Sequence, residues 1–182
     1  MSNVSKNRPA VFVDRDGTLI HEVDHLSDVG KLNIFPFTDK ALDILREAGY
    51  LIVVVTNQSG IGRGYFSEPS MHEIHAEISS KLDEKIDGFY FCPHRPDQGC
   101  QCRKPRLGMI ETACFDHEID LTRSWMIGDK RIDVETGQNA GVKTALVMTG
   151  YGAGDLATLN KMPDIVADDL LDAAMQIASE KP

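Results

Sequence analysis

The chain predicts an α/β fold with a doubly wound, mostly parallel sheet, on three observations. Short apolar runs recur along its 182 residues, amphipathic helical patterns lie between them, and several runs stop abruptly at polar segments containing glycine. Strands are expected at 10–13, 50–55, 88–91, 124–127 and 142–147, with a shorter edge strand at 165–167. Ala41, Leu42, Leu45 and Ala48 recur at helical spacing, and Gly49 ends that helix. A longer helix is expected over 68–86, with Met71, Ile74, Ile78 and Leu82 in one stripe; His72 and His75 are read as part of its solvated face. Further helices are expected at 107–117, 133–140 and 170–179. Cys114 and Trp125 fall at positions that read as core. Residues 93–105 fit neither period and form an excursion rich in Cys, Pro and Gly. The length suits a single domain spanning 1–182, with no insertion large enough to cap a site.

Composition removes several classes of function. The formal charge is −9, from 19 Lys and Arg against 28 Asp and Glu. A protein that binds a nucleic-acid duplex displaces counterions with a basic surface, and no uniformly basic window exists here, so no nucleic-acid partner is expected. No apolar run approaches the roughly 20 residues that span a bilayer. Residues 1–9 are polar and lack the hydrophobic stretch of a secretory leader. The expectation is a cytoplasmic monomer without a membrane partner.

The first strand ends in Asp14-Arg15-Asp16-Gly17-Thr18. Alternate side chains of a strand share a face, so Asp14 and Asp16 can project toward one pocket beyond its C-terminal end, where open α/β sheets bind ligands. Asp is also an ordinary turn residue beside Gly, and the segment alone leaves both readings open. The second strand runs into Thr56-Asn57-Gln58-Ser59-Gly60-Ile61-Gly62-Arg63-Gly64. Its hydroxyl and backbone N–H groups suit a phosphate oxygen, although an N-cap and loop explain the same residues. Arg103 and Lys104 stand between a cysteine cluster and Pro105, positioned to hold a phosphate. A later strand stops at Gly128-Asp129-Lys130-Arg131-Ile132-Asp133. Asp129 suits the oxygen cage of Mg²⁺, while Asp133 serves equally as a helix N-cap or a metal-associated group. Arg63 is read either as a contact for a second phosphate or as a loop residue, and Lys130 either as an active-site cation or as a helix-start residue.

The excursion offers Cys92, His94, Cys100 and Cys102, three thiols and one imidazole, in eleven residues. A reducing compartment makes this a metal site rather than a disulfide framework, against the alternative of reduced surface thiols. Four protein ligands leave zinc no open position, so the expected Zn²⁺ is structural and stiffens the loop over 92–105 that carries Arg103 and Lys104.

Four strand-end segments in this order resemble the haloacid dehalogenase superfamily, over about residues 10–150: Asp-x-Asp-Gly-Thr, Thr-Asn, the Lys before a proline, and Gly-Asp-x-x-x-Asp. The resemblance implies a Rossmann-like sheet of the haloacid dehalogenase type and a Mg²⁺-dependent phosphatase. In its terms Asp14 attacks phosphorus, and Asp16 protonates the leaving oxygen and then activates water. Thr56 and Lys104 stabilise the phosphoryl group. The metal ligands are the side chains of Asp14 and Asp129 and the backbone carbonyl of Asp16.

Cys-Pro-His followed by Cys-x-Cys-Arg-Lys-Pro resembles the capless branch that contains heptose-bisphosphate and histidinol-phosphate phosphatases. The loop Thr56-Asn57-Gln58-Ser59-Gly60 looks like the heptose group, where histidinol-phosphate enzymes typically carry Asp-Gly after Gln. The implied substrate is a small phosphorylated sugar, a heptose 1,7-bisphosphate cleaved at C7, with histidinol phosphate as the alternative. Asn57, Gln58, Ser59, Arg63, Arg103 and Lys130 are the expected substrate contacts. One departure is plain: the loop from Ile20 to Leu26 lacks the aromatic residue expected in the heptose group.

Overall fold

β1 (Ala10–Val13), β2 (Leu51–Asn57), β3 (Gly88–Cys92), β4 (Trp125–Gly128), β5 (Lys143–Val147) and β6 (Ile165–Ala167) form one sheet in the order β3-β2-β1-β4-β5-β6. All five pairings are parallel. A computed structural model describes residues 7–180. Most of the polar stretch expected at 1–9 therefore lies outside the described residues.

Among the described residues, seven α-helices connect and cover the strands: α1 (Thr38–Glu47), α2 (Ser59–Gly62), α3 (Glu68–Lys81), α4 (Gly108–His117), α5 (Arg131–Ala140), α6 (Gly152–Asp155) and α7 (Leu170–Glu180). Side chains alternate along each strand, so a parallel sheet buried on both faces needs two cores. Val11, Val13, Ile52, Val54 and Ile127 pack on one side with Leu42, Leu45, Ile74 and Ile177. Phe12, Val53, Val55 and Met126 pack on the other with Met109, Ile110 and Ala113. This is the expected doubly wound arrangement, and among the described residues no large cap domain stands over it. Trp125 is buried as expected; Cys114 is half-buried against the second core.

Two expectations need correction. The helix expected over 68–86 stops at Lys81, because Asp83 and Glu84 take left-handed backbone angles (φ 50° and 54°) and turn the chain toward β3. Leu82 and Ile86 continue to bury their side chains from the turn, which is why they prolonged the apolar stripe. His75 is also not part of a solvated face. It is buried and stacks on Phe89 of β3, whereas His72 is exposed.

Register places the site. Val13 pairs with Val54 on one side and Ile127 on the other, so β1, β2 and β4 run out at nearly the same level. Asp14, Thr56 and Asp129 follow within two residues of those pairs.

Candidate active site

A cavity of about 350 Å³ opens at the C-terminal ends of β1 and β2, lined by Asp14, Asp16, Thr56, Arg103, Lys104 and Lys130, among others. Asn57, Gln58 and Ser59 line it too, and the segment from Glu22 to Leu26 contributes another wall. Thus the cavity gathers the catalytic and substrate residues expected from the sequence apart from Arg63, while Asp129 and Asp133 are wholly buried and do not line it. Arg63 is exposed and lies in a separate groove with Tyr65 and Arg95, because the turn of α2 carries it away from the strand end.

Lys104 organises the interior. Its Nζ donates to Asp14 Oδ1 at 2.9 Å, Asp133 Oδ1 at 2.6 Å and the Val55 carbonyl at 2.9 Å, which uses all three ammonium protons. Burial opposes the charge on Lys104, but the carboxylates of Asp133 and Asp14 more than offset it and raise its pKa. Burial likewise works against ionisation of Asp14, and Lys104 and Lys130 hold its carboxyl below the usual range. Asp133 is fully buried. Its second oxygen accepts the Lys130 N–H at 3.0 Å, so Asp133 joins the start of α5 to Lys104. The backbone of Lys104 is fixed from β2: its N–H donates to Asn57 Oδ1 at 3.0 Å.

Asp129 is fully buried, and its Oδ1 has no hydrogen-bond partner among the described residues. Burial, reinforced by the charge of Asp14, pushes its carboxyl up to about 8. Carboxylate oxygens of Asp14, Asp129 and Asp133 lie within 4.8 Å of one another. A buried orphan oxygen in a carboxylate cluster is the setting that a hard cation relieves. Two glycines shape this corner. A Cβ on Gly17 (φ +83°) or on Gly150 (φ +54°) would collide with Asp129 Oδ2. The Tyr151 N–H donates to that same oxygen at 2.9 Å, and Thr149 Oγ1 donates to the Gly17 carbonyl at 2.6 Å.

Asp16 is held differently. The Arg15 guanidinium donates to both of its oxygens at 3.0 Å, and Gln58 Nε2 donates to Oδ2 at 2.8 Å and to Thr56 Oγ1 at 2.8 Å. At the rim, Lys130 Nζ pairs with Glu22 at 3.0 Å and lies 4.8 Å from the Tyr151 ring centre. Desolvation there raises the pKa of Glu22 despite its lysine partner. The sequence alone gives no role to Arg15 or to the segment from Thr149 to Tyr151. The Gly-Tyr-Gly after β5 is the local signal of that segment, and Arg15 has none.

The cysteine loop closes on itself. Cys92 Sγ lies 3.5 Å from Cys100 Sγ and 3.2 Å from Cys102 Sγ, and His94 Nδ1 lies 3.2 Å from Cys102 Sγ. All four ligand atoms fall within 4.8 Å of one another. Zinc bonds to sulfur at about 2.3 Å imply tetrahedral edges of about 3.8 Å, so this donor set suits that ion in kind and nearly in spacing. Arg103 Nη1 reaches the His94 carbonyl at 3.4 Å, tying the cavity-facing end of the loop to its cysteine end.

Comparison with known proteins agrees with the geometry. A family model described as HAD-hydrolase-like matches residues 101–173. A D-glycero-β-D-manno-heptose-1,7-bisphosphate 7-phosphatase from Haemophilus ducreyi is 43% identical, covering 91% of this chain and 96% of that protein. Its counterpart from Escherichia coli K12 is 41% identical over 81% of this chain and 83% of that protein. The crystal structure of D,D-heptose 1,7-bisphosphate phosphatase from B. bronchiseptica, complexed with magnesium and phosphate, superposes with a TM-score of 0.87. It is 31% identical and covers 94% of this chain and 99% of that one.

Proposed function

Since the chain belongs to the D,D-heptose-1,7-bisphosphate 7-phosphatases, a family of hydrolases of the haloacid dehalogenase type, we propose that it cleaves the C7 phosphate of such a sugar bisphosphate through an aspartyl-phosphate on Asp14. The observation that carries this reading is the convergence on Asp14: a buried, ionised carboxylate held by Lys104 beside the orphan oxygen of Asp129. Asp14 forms a bond to phosphorus as the bond from phosphorus to the C7 oxygen breaks, and Asp16 gives that oxygen its proton. Asp16 then takes a proton from the water that attacks the phosphoenzyme, releasing phosphate and restoring Asp14. Thr56 and Lys104 orient and neutralise the transferring group, where fixed donors matter most.

The acidic cluster fits Mg²⁺. Asp14 and Asp129 supply side-chain ligands, and the Asp16 carbonyl is the third protein ligand by analogy with the family. When bound, the ion supplies the positive charge that lets an anionic phosphate approach a carboxylate. Asn57 and Gln58 act mainly as braces for Lys104 and Asp16, as their hydrogen bonds suggest, while Ser59, Arg103 and Lys130 face the substrate. Cys92, His94, Cys100 and Cys102 hold a structural Zn²⁺. The chain then acts in small-molecule sugar metabolism, on heptose destined for surface polysaccharide, as a cytoplasmic monomer.

The relatives' names favour the heptose reading over histidinol phosphate. The test is phosphate release by purified protein with Mg²⁺ from both anomers of the heptose bisphosphate and from histidinol phosphate. Turnover of a heptose bisphosphate, with 1-phosphate retained in the product, is the expected result. Cleavage of histidinol phosphate alone would overturn the assignment.

A further inference from the structure

Behind Asp16 lies a buried cation that the mechanism above does not use. Arg15 is wholly inaccessible, though its neighbours in sequence face the cavity. Burying a guanidinium requires acceptors for its five N–H groups. Asp16 takes the Nε and Nη2 face, and Nη1 points the other way, to Met71 Sδ at 2.9 Å and His75 Nε2 at 3.4 Å.

Since a guanidinium cannot accept a hydrogen bond, His75 Nε2 must be the acceptor. Its proton then sits on Nδ1 and the ring is neutral. Burial and the adjacent guanidinium agree, pushing the imidazole down to about 3. The ring is fixed in turn by β3. It stacks on Phe89 at 4.6 Å with an interplanar angle of 18°, and meets Phe91 edge-on at 5.9 Å.

We propose that His75 is a positioning residue for Asp16, acting through Arg15. A line of contacts runs from the β3 aromatics to His75, on to Arg15, and so to both oxygens of Asp16. Gln58 donates to Oδ2 of the same carboxyl, the oxygen that Arg15 Nε also reaches. Held by three donors, the carboxyl has little freedom to rotate. A sugar alkoxide leaves poorly without a proton, so small displacements of the acid are expensive: misplacement by about 1 Å can lower rates about 100-fold.

The inference rests on the acid role of Asp16, and its test separates the two ideas. The readout is kcat/KM, which covers the steps through departure of the leaving group. It is measured with the heptose bisphosphate, whose leaving group needs a proton, and with p-nitrophenyl phosphate, whose leaving group does not. Asp16→Asn should lose far more on the sugar than on the aryl phosphate. His75→Leu, lacking the acceptor, should fall about 30-fold on the sugar and less than about 3-fold on the aryl ester. His75→Gln, which keeps an acceptor, should stay within about 3-fold of wild type on both.

Arg15→Lys cannot span both oxygens and should reproduce the selective loss even if His75→Leu does not fold. Equal losses on both substrates in His75→Leu or Arg15→Lys, beside a selective Asp16→Asn, would overturn the positioning role alone. A non-selective Asp16→Asn would overturn the acid assignment and this inference with it.

Discussion

Lys104 Nζ lies 2.9 Å from Asp14 Oδ1, joining residues 90 apart in sequence through an ion pair almost closed to solvent. Each side chain stabilises the charge of the other, so the proposed nucleophile and its cation are both present in the charged form.

Replacing Asp14 with asparagine keeps an oxygen acceptor for Lys104 but removes the nucleophile. Turnover of the sugar bisphosphate should fall by roughly 10⁴-fold or more, with the melting temperature near that of wild type. Activity within tenfold of wild type would exclude a phosphoenzyme on Asp14.

Lys104→Met leaves Asp14 and Asp133 buried without their shared ammonium. Removing one partner of such a pair costs about 3–5 kcal/mol. Urea denaturation should register that loss, together with a collapse of kcat. An unchanged denaturation midpoint would mean that the two carboxyls find relief elsewhere.

The two metals should separate by exchange rate. EDTA is expected to abolish activity quickly and added Mg²⁺ to restore it, while zinc, enclosed by four ligands, leaves more slowly. Elemental analysis of protein purified under reducing conditions should find about one zinc per chain. Cys102→Ser should lower that content and raise KM, because Arg103 and Lys104 follow directly.

Gly150→Ala puts a methyl group where Asp129 Oδ2 lies, at a left-handed backbone position. The expected outcome is a fall in kcat of about 100-fold with weakened Mg²⁺ dependence, read by titrating the ion in a steady-state assay. A fully active variant would show that Asp129 tolerates displacement.

His75 gives an acid-sensitive term in stability. Its folded pKa of about 3 is below the ordinary 6.5, so between these values the unfolded chain binds a proton that the folded chain refuses. Stability from this site therefore falls as pH drops below 6.5. Between pH 7 and 5.5, wild type should lose about 1 kcal/mol more than His75→Gln in urea unfolding. Identical losses would mean that the ring is protonated in the folded protein.

The sheet and its site were unequally legible in the sequence. Each strand that carries chemistry stops at a polar residue, so Asp14, Thr56 and Asp129 advertise themselves at the points where valine and isoleucine run out. The four cysteine-loop ligands are similarly dense and local. Arg15 and His75 were hidden because their link spans 60 residues and sits under the site, so neither spacing nor composition betrays it. Hydrophobic periodicity extends the third helix to 86 because it records burial, and a turn can bury Leu82 as well as a helix can. Sequence leaves Arg63 open between a second-phosphate contact and a loop residue, and the structure places it in a groove apart from the main cavity.

The central place of β1 has a consequence for how the molecule breathes. β1 is flanked by β2 and β4, while β3 and β6 take the edges. Local opening begins where backbone hydrogen bonds face solvent and few apolar contacts hold. β6, with three residues and a half-open face, is such a place; β1, with four wholly buried residues, is the reverse. Fraying from the β6 margin can thus proceed some way while Asp14 keeps its neighbours. Asp14, the proposed nucleophile, belongs to the last part of the sheet to come apart, so loss of the site geometry and loss of the fold should be nearly one event.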